Sequence, residues 1–343
     1  MSSEALGLFA AGLLAAWLRA TAPILLAALG GLVSERAGVI NVGLEGLMLV
    51  AAFFGVLGSA FAPQWWPGVA AWVYPWAGAA LGLLAALLLA LVLAVFHLEF
   101  GADLIVAGIG INLLAAGVTV FTMVTLTGDK GSTAGLLSHA LPALHIPGVA
   151  GWPLLDALLN GDGGRGHHVL IYAAFGAVAI VAWLLWRTRL GLRLRAAGEN
   201  PEAARAAGLP VKRLQYLALG FSGLLAGLGG LYLSMGYLTL FQADMTAGRG
   251  FLALAAVFLG ARRPLGTLAA ALLFGAASVL AGQLGLLHIP TQVVYMIPPA
   301  ATVIAMVLFA QRREQLRRRA LAAALIQLNP TGATAPTPGL PSR

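Results

Sequence analysis

The chain has 343 residues, 60% of them hydrophobic and 9% charged, with a mean hydropathy of +0.91. An ordinary soluble domain carries about 25% charged residues, so this composition excludes one and describes a polytopic membrane protein. The net charge of +8 does not mark a nucleic-acid partner, because the basic residues sit in short clusters between apolar runs, the arrangement of positive-inside topology.

A bilayer-spanning helix needs about 20 apolar residues. Applied along the chain, that rule predicts spans near 5–33, 44–61, 69–96, 102–126, 168–186, 214–235, 250–261, 265–283 and 291–311. The first lacks a basic n-region and reads as a retained span rather than a cleaved leader. It is interrupted by Arg19 and Pro23, so one tilted helix and two short pieces both remain open. Segment 250–261 is too short to cross alone and reads as a half-helix. The expected fold is an all-α polytopic bundle of about nine or ten membrane elements, with residues 1–311 as the transmembrane domain. Trp65, Trp66, Trp72, Tyr74 and Trp76 read as an interfacial belt. Glycine and alanine crowd the spans, as in SGLLAGLGGLYL, which allows close helix packing.

Lysine and arginine set the orientation. Segment 187–213 holds seven of the 20, Arg262–Arg263 two and Arg312–Arg319 five, and one side accommodates all three clusters. That side is read as cytoplasmic, which puts the C-terminus there and the 127–167 loop outside. Residues 312–343 read as a basic stretch followed by a disordered Pro/Thr/Gly-rich tail. His139, His145, His167 and His168 fall in or near the external loop, without the ligand spacing or thiolates of a metal site. The chain has no cysteine, which excludes disulfides and thiol chemistry.

The loop at 187–213 contains a short helix signal. Asn200 is a good N-cap, Pro201 suits the first helical position and Glu202 favours the dipole. Ala203, Ala204, Ala206 and Ala207 propagate the helix, and Gly208 with Pro210 ends it. The result is about two turns, either a docking surface for a soluble partner or a connector that happens to be helical.

Polar residues beside the spans are the other candidates. Asn41 and Glu45 occur in SERAGVINVGLEGLM, Asp103 and Asn112 in GADLIVAGIGINLL, and Gln242, Asp244 and Arg249 in FQADMTAGRGFLALAAV. Ionisable groups at membrane depth face a cavity or a partner, and glycine-broken helices there line transport sites. The alternative is that Glu35, Arg36 and Glu45 are solvated or paired at a span end, a reading that suits Asp103 best. No GK[ST] motif follows either lysine, and GxSxG and HExxH are absent. The chain is neither an ATPase of that class nor, on this reading, an enzyme.

SERAGVINVGLEGLMLVAAF, RAAGENPEAARAAGLPVKRLQYLALGFSGLLAGLGG and MTAGRGFLALAAVFLG with PLGTLAAALLFG together resemble the permease subunits of bacterial ABC importers. The branch is the one shared by branched-chain amino acid, ribose and simple-sugar permeases, and SERAGVINVGLEG is most similar to its nucleoside-importing members. The resemblance covers about residues 20–310. It implies a bacterial plasma-membrane protein working by alternating access. Its implied partners are cytoplasmic ABC ATPase subunits, a second permease copy or paralogue, and an extracytoplasmic substrate-binding protein. ATP and Mg would be bound by the ATPase, with no cofactor in this chain. It further implies a coupling helix within Gly198–Gly208, matched at Glu199, Asn200, Pro201, Ala204 and Gly208, with Arg205 on the same helix. Asn41, Gly43, Glu45 and Gly46 are implied to lie near the translocation pathway, with Asn112 on the following polar span. The sequence departs from the family pattern at ARRPLG (261–266) and in its extended 127–167 loop. A rival from another class is an H⁺- or Na⁺-coupled secondary transporter with Glu45 or Asp103 as the coupling carboxylate.

Overall fold

The structure, a computed structural model, describes residues 3–148, 153–161 and 166–285, together with 300, 307 and 311. The expected span at 291–311 and the tail at 312–343 fall outside the described residues, apart from those three positions. In chain order the helices are α1 (Ser3–Arg36), α2 (Leu44–Trp65), α3 (Tyr74–Leu98) and α4 (Leu104–Thr127). They continue with α5 (Pro153–Asn160), α6 (Val169–Arg187), α7 (Arg189–Glu199) and α8 (Pro201–Ala206). The described chain ends with α9 (Val211–Tyr232), α10 (Arg249–Leu259) and α11 (Pro264–Gly285). Seven of them, α1, α2, α3, α4, α6, α9 and α11, are long and apolar enough to cross a bilayer.

The first span is a single helix that runs through both Arg19 and Pro23. The expected half-helix at 250–261 is the 11-residue α10. A regular helix of that length rises about 16 Å, roughly half the hydrocarbon core. One small departure from the all-α expectation lies in the 127–167 segment, where Ala143–Leu144 pairs antiparallel with His167–His168.

The core is built by backbone proximity rather than by bulky side chains. Helix α9 lies against α1, α2 and α3, and a methyl group at Gly230 would collide with the Met48 carbonyl of α2. Gly229 is close to α1, where a methyl would sit 2.8 Å from the Pro23 carbonyl oxygen. Any larger residue at either position would force the helices apart, which is how small residues act in membrane bundles. Around this contact Leu25, Leu29, Leu32, Leu47, Phe53 and Tyr232 are fully or almost fully buried.

Burial divides the spans. In α2 83% of the apolar window is buried, against 22% in α4, whose Val106, Leu113 and Phe121 are exposed. The outward apolar face of α3 and α4 is what a lipid-facing surface requires. Trp65, Trp66, Trp72 and Trp76 are all exposed at one end of α2 and α3, as the belt reading anticipates. The opposite end carries Arg36, α7, α8 and the Arg262–Arg263 turn, and is called the basic end below.

Candidate functional site

At the basic end, one residue separates two helices. Asn200 closes α7, its N–H donating to the Ala196 carbonyl, and opens α8, its Oδ1 accepting from Ala203 N at 3.0 Å. Pro201 occupies the first turn of α8 and Gly208 follows at φ +79°, a left-handed conformation that favours glycine. The helix ends at Ala206, one residue before the sequence-based estimate. Ala204 alone in it is buried; Glu199, Asn200, Glu202, Arg205 and Gly208 are exposed. The sequence candidates at 199–208 therefore form one small, capped, outward-facing unit.

That unit is seated on α1. Gly198 lies against the Arg36 carbonyl and Gly38, with no room for a side chain on either glycine. The Arg36 guanidinium in turn donates to the Arg262 carbonyl at 2.8 Å and 2.5 Å. Arg262 pairs with Glu35 at 2.8 Å, a carboxylate whose side chain is only 5% exposed. The ARRPLG departure thus has a structural role, joining the α10–α11 turn to the end of α1. Trp186 takes the Arg195 guanidinium over its ring at 4.3 Å and that of Arg36 at 5.5 Å. Beside them Lys212 and Tyr216 at the start of α9 bond to Glu99 beyond α3. Those bonds, from Lys212 above all, hold the Glu99 carboxyl below the usual carboxylate range.

Deeper in, the five residues expected near a pathway come together in one hydrogen-bonded joint. Asn41 is fully buried, donating to Ser222 Oγ of α9 at 2.8 Å and accepting from Gly43 N at 3.0 Å. Asn112 of α4 accepts from Gly46 N at 2.8 Å and donates to the Val42 carbonyl at 3.0 Å. Both oxygens of Glu45 face the N-terminus of α10, accepting from Gly248 N at 2.7 Å and Gly250 N at 2.5 Å. A helix start carries unpaired N–H groups and a positive dipole end, so a carboxylate is well compensated there. The non-helical stretch 37–43 is thereby pinned to α4 and α9, and the first turn of α2 to α10. Ser222, Gly248 and Gly250 were not singled out from the sequence, although Ser222 lies in the small-residue run and the glycines flank Arg249.

The other polar candidates do not join this joint. Asp103 caps α4, accepting from Ile105 N and Val106 N at 2.8 Å and 3.1 Å. Both carboxylates of the secondary-transporter reading are thus engaged with helix N-termini. Gln242 bridges to Ser132, and Asp244 sits at φ 56° in the connection between α9 and α10. This connection also contains Ala247 at φ 45°, an uncommon conformation for a residue with a side chain. The 127–148 segment is stitched over it through Thr133 and Phe241, Gly131 and Ala243, and Leu141 and Met235.

Open space lies elsewhere, toward the 127–167 segment. A cavity of about 540 Å³ is bounded by Arg19 and Pro23 of α1, Tyr232 and Tyr237 at the end of α9, Arg249 of α10 and Gln283 of α11. A second, of about 430 Å³, shares Arg19, Tyr232 and Tyr237 and extends to Asn160, His167 and His168. His168 Nδ1 accepts from Leu170 N and so caps α6. Burial lowers its pKa to about 4, outweighing the raising effect of the Met235 and Leu141 backbone groups.

Residues 13–309 match the family described as branched-chain amino acid transport system, permease component. The chain belongs to this family. As a permease it is a multi-pass membrane component of a transport system and not an enzyme. It is 37% identical to the guanosine ABC transporter permease protein NupQ of Bacillus subtilis, over 85% of this chain and 90% of that protein. It is 32% identical to the nucleoside ABC transporter permease protein NupC of Lactococcus lactis, over 84% of this permease and 88% of the relative. The putative glucose ABC transporter permease protein TsgC13 of Haloferax volcanii is 35% identical, over 79% and 77%.

Proposed function

We propose that this permease is the membrane subunit of an ATP-driven importer that moves a nucleoside or a related sugar-like solute into the cell. The observation that carries the reading is the exposed, capped α8 seated through Gly198 on the end of α1. It supplies what an ATPase needs, a compact projection joined to the spans by backbone contact. The nucleoside assignment is supported by similarity to NupQ and NupC; TsgC13 keeps a sugar within the proposal.

In this reading the basic end is cytoplasmic, the C-terminus lies on that side and the 127–167 segment faces outward. Glu199, Asn200, Pro201, Ala204, Arg205 and Gly208 form the coupling element of each of two permease subunits, identical or paralogous. Two ATPase subunits dock there and bind ATP and Mg; an external binding protein delivers solute. Closure of the ATPase dimer pushes on α8, and the push reaches α10 through Arg36, Glu35 and Arg262. Asn41, Gly43, Glu45, Gly46 and Asn112 form the joint beside the pathway about which α10 tilts. Nucleotide can drive this change only to the extent that it binds one state better than the other.

The test is uptake of labelled guanosine and glucose into proteoliposomes holding the full assembly, with ATP inside and binding protein outside. ATP-dependent accumulation of either solute that persists with an uncoupler present is the expected result. Accumulation abolished by the uncoupler at constant ATP would overturn the reading in favour of a secondary transporter.

A further inference from the structure

Arg19 and Arg249 are far apart in sequence but border one cavity with Tyr232, Tyr237 and Gln283. At 1.5 Å per residue Arg19 lies about 25 Å, and Arg249 about 15 Å, from the basic end. Arg19 lies inside the apolar span Phe9–Arg36 and Arg249 opens the short apolar helix α10, and charged side chains in such segments face a cavity or a partner. Tyr232 is 2% exposed and lines the same cavity as Arg19, Tyr237 and Arg249. Tyr237 differs: it is 65% exposed, at the last position of the π-helical turn Leu233–Tyr237, whose Leu233, Ser234 and Met235 are buried. The turn therefore fixes the backbone while leaving the ring open to a ligand.

The chemistry of this lining is selective. Guanidinium groups only donate hydrogen bonds, and an exposed phenol ring offers a stacking face. The volumes of about 540 Å³ and 430 Å³ fall within the range of about 300–1,000 Å³ that small-molecule sites occupy. We propose that the two adjoining cavities form a solute vestibule within this chain. There a nucleoside stacks its base on Tyr237 while Arg19 and Arg249 donate to its carbonyl, ring-nitrogen and hydroxyl acceptors. This rests on the proposed nucleoside import and adds a point of selection in the permease itself, separate from the buried joint at Asn41 and Glu45.

The test uses the permease assembled with its ATPase in nanodiscs, without binding protein, and saturation-transfer NMR of added guanosine. Expected are transfer to the base protons with the native chain, loss of most of that signal in Tyr237→Ala, and retention in Tyr237→Phe. Arg19→Gln weakens guanosine roughly tenfold by titration, the scale of a charge-assisted hydrogen bond. Arg249 also holds the Met245 and Thr246 carbonyls, so its substitution would disturb the start of α10 as well. Thermal unfolding matching the native chain shows that each variant has folded. Base-proton transfer unchanged in both Tyr237→Ala and Arg19→Gln, or absent from a native assembly that imports guanosine, would overturn the vestibule. A native full assembly that imports glucose but no nucleoside removes the nucleoside assignment on which the vestibule rests, and one that imports neither overturns the functional reading instead.

Discussion

Glu45 and Gly250 meet with no space between them: the Glu45 carboxylate accepts from Gly250 N at 2.5 Å, and a methyl on Gly250 would lie 2.6 Å from the Glu45 Cα. A carboxylate and a glycine are both required, one to satisfy the start of α10 and the other to admit it. Glu45→Gln presents an amide donor to one of two backbone donors and leaves it unsatisfied. A loss of about 1–3 kcal/mol is the expected scale for such a buried group. Thermal unfolding in detergent should show a midpoint several degrees lower, together with slower uptake. A midpoint equal to the native one would remove the cap from the account of stability.

Exchanging the charges of the proposed coupling element, Glu199→Arg with Arg205→Glu, alters only exposed side chains. Membrane insertion and unfolding should be unchanged, while ATP-driven uptake is lost through failure to dock the ATPase. Co-purification with the ATPase and uptake are measured in parallel; normal values for both would place docking elsewhere.

Asn41 and Ser222 provide a pairwise measurement. Their 2.8 Å bond joins the 37–43 stretch to α9, and contacting residues couple by about 0.5–3 kcal/mol in double-mutant cycles. Asn41→Leu, Ser222→Ala and the double variant should therefore be non-additive in unfolding free energy. Asn41→Leu should also slow uptake without releasing the ATPase. Strict additivity with unaltered transport would confine the bond to incidental packing.

The His168 site gives a pH dependence. Above its ordinary pKa of 6.5 the imidazole is neutral whether the chain is folded or not; between 6.5 and about 4 only the unfolded chain takes up the proton. Folding stability at this site therefore declines as pH falls through that window and levels off below it, by at most roughly 3 kcal/mol. Hydrogen exchange of residues 138–148 and 166–172 should accelerate from pH 7 to pH 4.5, after correction for intrinsic rates. His168→Asn keeps a capping side chain without the titration and should flatten the profile.

Local features were the most legible in the sequence. Apolar runs located the seven spans and the half-helix, because length and hydropathy act within one segment. Asn200, Pro201 and Gly208 defined α8 for the same reason, since caps are read over a few residues. The residues of the joint could be gathered from their glycine-rich contexts, but their bonds could not. That Glu45 meets α10 rather than water depends on two segments about 200 residues apart in the chain. The Arg19–Arg249 cavity is further from view still: Arg19 reads in sequence as an interruption of an apolar helix, and only the packing of α1 beside α10 and α11 gives it a neighbour.

Asn200 leaves α7 and α8 no slack. Its extended backbone, φ −150° and ψ 94°, is the whole of the connection between them, and its own atoms finish one helix and begin the other. A displacement of α8 must therefore either turn the chain at this single residue, breaking a cap, or carry Gly198 with it. Gly198 cannot move toward α1 without displacing Arg36. The exposed unit and its seat on α1 are adjacent in the chain, so a movement of α8 has a single residue in which to be absorbed before it meets the spans.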